Sequence, residues 1–179
     1  MITILESEGV RRAVTRLSME AVESNKGVDD LVIVGIRTRG AVLAQRMQKE
    51  IARLEKKVLP IGILDIALYR DDLLSGNCDA VFKGSEIDFD IDGKNVILCD
   101  DVLYTGRTVR AALAALSALG RAKTVRLFCL VDRGHRELPI RAEGVGKSIP
   151  TSRAEKIVVR FSEIDGEDAV YLLKRDEII

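Results

Sequence analysis

The sequence predicts an α/β fold, a mostly parallel twisted sheet flanked by helices, in one domain over residues 1–179. Three observations carry this. Segments with helical spacing alternate with short apolar runs. Those runs lack the apolar-polar alternation of a half-exposed strand, so they read as strands buried on both faces. Hydrophobic residues make up 47% of the chain but aromatics only 4%, so the core must be aliphatic. A length of 179 residues suits a single domain with a core of its own.

The elements follow in order. Over residues 8–25, Val10, Ala13, Val14, Leu17, Ala21 and Val22 recur at helical spacing, with Ser7 as N-cap candidate and Gly27 past the end. Residues 31–36 are a β-branched run and predict a buried strand. Residues 40–55 are helical again, through Val42, Leu43, Met47, Ile51 and Leu54. Residues 58–68 are β-rich, and Pro60 places their first part at a strand start or an edge. Residues 70–90 are polar, carry Gly76 and Gly84, and follow neither period. A connection of that length is usually functional or mobile. A strand is expected at 96–99, then an Ala- and Leu-rich helix at 107–119 that Gly120 stops. Residues 125–131, 157–161 and 169–173 are further strand candidates, and 134–152, with Pro139 and Pro150, reads as loop.

Composition excludes several classes of function. Lys plus Arg and Asp plus Glu are both 28, so the chain is no globally basic nucleic-acid binder, although a local basic face remains open. Scarce aromatics and the absence of Trp argue against stacking platforms for bases. Cys78, Cys99 and Cys129 are odd in number and lack CxxC spacing, as expected of reduced thiols. No apolar run approaches the roughly 20 residues that span a bilayer, and the first residues lack a basic n-region. A cytoplasmic protein with no membrane partner is the expectation.

In parallel sheets ligands bind beyond the carboxyl ends of the strands, so the loops there carry the chemistry. Asp100-Asp101-Val102-Leu103-Tyr104-Thr105-Gly106-Arg107-Thr108 joins a strand to a helix. Its turn offers backbone N–H groups, hydroxyls and a helix N-terminus to a phosphate. The paired carboxylates could accept from a vicinal diol or position a hydrated Mg²⁺. A ligand that meets both demands is a ribose 5-phosphate. Gly35-Ile36-Arg37-Thr38-Arg39-Gly40 is a second loop between a strand and a helix, and its arginine forks suit a second phosphate group. Taken alone, either loop could be an ordinary helix start. The third candidate is the stretch from Leu68 to Ser85, read as a lid that brings Arg70 to a leaving group.

The residues 96–108 resemble the phosphoribosyl-pyrophosphate motif of type I phosphoribosyltransferases. With Leu68-Tyr69-Arg70-Asp71-Asp72-Leu73 and the run from Val131 to Arg141, the chain resembles the PyrR family of pyrimidine operon regulators with uracil phosphoribosyltransferase activity. Gly146-Lys147-Ser148-Ile149-Pro150-Thr151-Ser152 and residues 11–16 extend the likeness along nearly the whole chain. It departs from the family pattern at Ser18-Met19, Cys99, Glu143-Gly144 and Leu74.

The resemblance implies a type I phosphoribosyltransferase fold with a small hood and a mobile lid loop. It implies conversion of uracil and phosphoribosyl pyrophosphate to UMP and pyrophosphate, with Mg²⁺ bound mainly through the substrate. It also implies UMP-dependent binding of pyrimidine operon leader mRNA, and a homodimer or higher homo-oligomer. Asp100, Asp101, Arg39 and Arg70 are the expected catalytic residues. Thr38, Arg39, Asp100 to Thr108 (Val102, Leu103, Tyr104, Thr105, Gly106 and Arg107 included), Arg133, His135 and Val158 are expected at the substrate. Thr15, Arg16, Arg136, Arg141 and Lys147 are expected at RNA. Between residues 132 and 160 basic residues outnumber acidic ones by seven to four, which gives such a face its local charge.

Overall fold

The central sheet has five parallel strands in the order β3-β2-β4-β5-β6. They are β2 (Leu31–Ile36), β3 (Ile61–Leu64), β4 (Asn95–Leu103), β5 (Thr124–Asp132) and β6 (Gly144–Ser148). A second, antiparallel sheet of order β1-β8-β7 forms the hood, from β1 (Ile2–Leu5), β7 (Lys156–Arg160) and β8 (Ala169–Leu173). The helices are α1 (Ser7–Ser24), α2 (Arg39–Glu55), α3 (Arg107–Leu119) and the single turn α4 (Ser162–Asp165). This computed structural model describes residues 1–71 and 84–174. The expected lid falls for the most part on 72–83, outside the described residues, as do Cys78 and Leu74.

Strands β2, β4 and β5 are buried on both faces over most of their length, as their apolar runs require. Side chains alternate between two cores. Leu31, Ile33, Ile97, Cys99, Phe128 and Leu130 pack beneath α1, α2 and the hood residues Ile157, Val159 and Val170. Val32, Val34, Val96, Leu98, Leu127 and Cys129 pack beneath α3.

Several expectations are corrected. Ser7 is not the cap of α1 but its first residue, and Glu6 precedes it without a side-chain cap bond. The helix ends in a Schellman pattern: Gly27 N–H donates to Val22 O at 2.9 Å and Lys26 N–H to Glu23 O at 2.9 Å. Strand β4 runs to Leu103, so the acidic pair lies within a strand and not after it. The stretch read as loop at 134–152 contains β6. Gly144 and Gly146 disguise it, yet a Cβ at 144 would strike the Phe128 ring and one at 146 the Leu130 carbonyl. Packing therefore demands glycine in this edge strand. Strand β1 carried no sequence signal, since its partner β8 lies at the other end of the chain. The strands near 157 and 169 belong to the hood and not to the parallel sheet.

Two glycines set the distance between the strand ends. A Cβ on Gly35 would collide with the backbone of Ala41, and one on Gly40 with the Cys99 carbonyl, 3.2 Å from the Asp100 Cα. The first turn of α2 thus lies directly against β4. Gly40→Ala should cost about 3 kcal/mol by overpacking. Urea unfolding should show a lower midpoint with an unchanged m-value. An unmoved midpoint would mean that the contact between helix and strand is loose.

Candidate functional site

The carboxyl end of β4 and the turn into α3 line a pocket of about 270 Å³ with Arg70, Asp71, Asp100 and residues 102–109. The structure therefore brings Arg70, Asp100 and the expected phosphate loop together. Gly106 takes a left-handed φ of 93° and caps α3 without any side-chain bond. The first N–H of the helix, that of Arg107, donates to Thr105 Oγ1 at 3.3 Å, and the positive end of the helix faces the turn. Behind the turn, Thr105 O accepts Glu137 N–H at 2.9 Å and Leu138 N–H at 3.3 Å.

The acidic pair is costly to keep ionised. Asp100 is 5% exposed. Burial and the neighbouring Asp101 charge push its carboxyl well above the usual range, and the Arg70 charge opposes this. Burial raises Asp101 too, against a hydrogen bond from Asp100, the Val102 N–H and the Arg39 charge. Arg39 thereby acts on the pair from the second loop. The Arg37–Thr38 peptide in that loop is cis, and Thr38 is exposed. Arg39 Nη2 donates to Asp165 Oδ1 of α4 at 2.7 Å. Arg37 Nη2 donates to Gly84 O at 3.1 Å and to Glu86 Oε1 at 2.8 Å.

Two arginines expected at ligands are spent inside the chain. Arg136, expected at RNA, donates to Tyr104 O at 2.7 Å, to Ile140 O at 3.0 Å and to the Asp132 carboxylate. It is a brace for the phosphate loop. Arg133, expected at substrate, is 6% exposed and donates to Ser152 O at 3.0 Å and Glu155 O at 2.8 Å. Its guanidinium lies 4.0 Å over the Tyr104 ring. His135 donates to Thr151 O through Nε2–H and meets Tyr104 edge-on at 6.0 Å. Val158 pairs with Tyr171 in the hood and does not line the pocket.

Of the other RNA candidates, Arg16 Nη2 donates to the Val145 and Gly146 carbonyls and so covers the open edge of β6. Thr15 faces Glu50, whose carboxyl is held below its usual range by Arg53 first and by Thr15 after it. Arg141 and Lys147 are exposed, as are Arg153 and Lys156, and none of the four has an ion pair among the described residues.

Sequence reasoning missed two carboxylates. Asp65, 6% exposed, accepts Ala67 N–H at 3.0 Å and Gly84 N–H at 3.1 Å, so it ties residues on either side of 72–83. Asp165 holds Arg39. Asp165 stands in the acidic run from Glu163 to Asp168. Nothing in a linear reading aims that run at residue 39.

The phosphoribosyl transferase domain family matches residues 3–163. A Bifunctional protein PyrR of Pelotomaculum thermopropionicum is 53% identical over 97% of this chain and 96% of its own length. Another, of Bacillus cereus, is 57% identical over 93% of this chain and 94% of its own. The chain belongs to the PyrR family. The chain also superposes on a hypoxanthine phosphoribosyltransferase of Staphylococcus aureus with a TM-score of 0.72 at 23% identity, covering 98% and 93% of the two chains. At that identity the likeness concerns the fold alone.

The raised pair has a consequence for stability. A carboxyl whose pKa rises on folding favours the fold only while protonated, so stability is lost as pH rises from about 4 through the folded-state value. Asp100→Asn removes that penalty. Its melting midpoint at pH 7.5 should exceed that of the wild type by about 3 °C, on the order of 1 kcal/mol. The gap should close as pH falls toward about 4. A lower midpoint at pH 7.5 would contradict the strained pair.

Proposed function

We propose that this chain is a uracil phosphoribosyltransferase and a UMP-dependent, RNA-binding attenuator of pyrimidine operon transcription. What carries the reading is one juxtaposition, two phosphate-sized loops on adjacent strand ends with a carboxylate pair between them, Asp100 buried and Asp101 half-buried, in a chain over 50% identical to PyrR proteins along nearly its full length. The site takes phosphoribosyl pyrophosphate and uracil and releases UMP and pyrophosphate. The cytoplasm as location, and a homodimer or higher homo-oligomer, belong to the same proposal.

Each residue has a stated task. Asp100 and Asp101 accept from the ribose 2′- and 3′-hydroxyls, and their charge favours the positive charge that develops at C1′. Tyr104 to Thr108 hold the 5-phosphate by N–H groups at the start of α3 and by the Thr105 and Thr108 hydroxyls. Thr38 and Arg39 hold the pyrophosphate, and Arg70 approaches the leaving group. Among the described residues no cluster of three or more His, Cys, Asp or Glu side chains is built to hold a metal by itself. Two carboxyls that resist ionisation fit a dication carried in on the substrate, Mg²⁺ held chiefly by pyrophosphate oxygens. When bound, Mg²⁺ neutralises the leaving group.

The test is UMP synthesis from uracil in the presence of Mg²⁺, with hypoxanthine and orotate as competitors. Uracil alone should turn over, and Asp100→Asn or Asp101→Asn should lower the rate at least about 100-fold. Use of hypoxanthine in place of uracil would overturn the assignment of the base.

The RNA face is built from Arg141, Lys147, Arg153 and Lys156, which keep their charge outward. Filter binding of a pyrimidine leader hairpin should tighten with UMP and weaken steeply with salt. Lys147→Ala should flatten the salt dependence by about one unit in the log–log slope. Arg136→Ala should instead impair turnover, because its guanidinium braces the Tyr104 loop. Equal affinity for leader and scrambled RNA, with and without UMP, would leave the enzyme alone.

A further inference from the structure

Helix α2 carries Arg39 and Arg46 seven residues apart, on one face. The short acidic α4 lies along that face. Arg46 Nη2 meets Glu163 Oε2 at 2.5 Å and Asp168 Oδ1 at 2.6 Å, and its guanidinium lies 4.8 Å from the Phe161 ring centre. Arg39 meets Asp165 Oδ1 at 2.7 Å. The other oxygen of Asp165 accepts Phe161 N–H at 2.9 Å, so this carboxylate is fixed at both ends. Arg39 Nε is buried and has no hydrogen-bond partner among the described residues.

We propose that Asp165 is a positioning residue, which holds Arg39 against the hood so that its guanidinium meets incoming pyrophosphate and does not close over Asp101. The proposal rests on the reading of residues 37–40 as the pyrophosphate loop. Asp165 holds Arg39 directly, and Asp101 is the second carboxyl on which its charge acts. Attraction between opposite charges grows as water is excluded. With Asp165 gone, Asp101 is the carboxyl on which the Arg39 charge still acts, and a bond there would occupy the oxygen that the ribose diol needs. The unpaired Nε points the same way. A buried donor without an acceptor is costly, and such groups persist where a ligand supplies one. Pyrophosphate oxygens supply one here.

The experiment compares the full-length wild type with Asp165→Asn, Asp165→Glu and Glu163→Gln. Asparagine keeps the acceptor for Phe161 N–H and removes the charge. Asp165→Asn should raise KM for phosphoribosyl pyrophosphate about tenfold while kcat stays within about threefold. Asp165→Glu should recover part of the loss. Glu163→Gln is the control for hood docking, because Arg46 retains Asp168, and it should leave KM unchanged. A wild-type KM in Asp165→Asn would overturn the proposal. So would equal rises in Asp165→Asn and Glu163→Gln with matching losses of melting temperature, which would mark mere docking. Titration with pyrophosphate and Mg²⁺ reads the same contact without turnover. If the wild type makes no UMP, the functional reading falls by itself, and equal pyrophosphate affinity in wild type and Asp165→Asn would then overturn the role of Asp165.

Discussion

The close approach of α2 to β4 is the constraint from which the site follows. It exists because residues 35 and 40 lack side chains. The helix therefore starts almost on top of the strand, and its first residue, Arg39, acts electrostatically on Asp101. A wider gap would leave two separate anion loops. At this spacing the loops can share one ligand with phosphate at both ends. Parallel pairing of β2 with β4 adds the register, aligning Gly35 with Cys99 just before the acidic pair. Backbone packing thus fixes the distance between the two loops before any side chain adds its chemistry.

Charge in this chain is mostly internal architecture. The net charge is zero, yet arginines crowd the site, and the structure spends them one by one. Arg136 braces Tyr104, Arg133 ties the Tyr104 ring to residues 152–155, and Arg107 lies between Glu137 and Asp71 at 2.8 and 2.9 Å. Exposed ion pairs add little to stability, so the value of these contacts lies in geometry. An arginine fork bonded to several carbonyls holds a loop in one shape. Such preorganisation spares a phosphate site the cost of ordering itself at each binding event.

The legible parts of the sequence were those whose physics is local. Helix α3 announced itself by Ala and Leu content and the Gly120 stop, and β2 by its β-branched run. The acidic pair and the Thr-Gly-Arg-Thr turn stood out because their groups lie a few residues apart, and the structure places Asp100 and the turn in one pocket. The illegible parts depend on partners distant in sequence. Strand β6 is Gly-rich because Phe128 and α1 press on it, and a linear reading sees only a loop. Counting cations between 132 and 160 suggested a basic face, but it could not show that Arg133 and Arg136 turn inward or that Arg160 meets Glu167 at 2.5 Å. Three of the seven positive charges are thus committed within the chain.

That inward commitment bears on the proposed joining of a nucleotide site to an RNA face in a neutral protein. The Tyr104 backbone belongs to the phosphate loop, and its ring lies under Arg133. Arg133 and His135 hold residues 151–155, the connection from β6 to β7, and Arg153 and Lys156 stand on or beside it. A ligand that fixes Tyr104 lowers the freedom of Arg133, and through it the freedom of the basic segment. Ordering that segment once, at the nucleotide, lessens the entropy that RNA must later remove. Linkage makes the effect mutual, so RNA must tighten the nucleotide by the same factor. With four unpaired cations and not seven, electrostatic attraction alone is modest, and preordering has room to decide whether RNA is held.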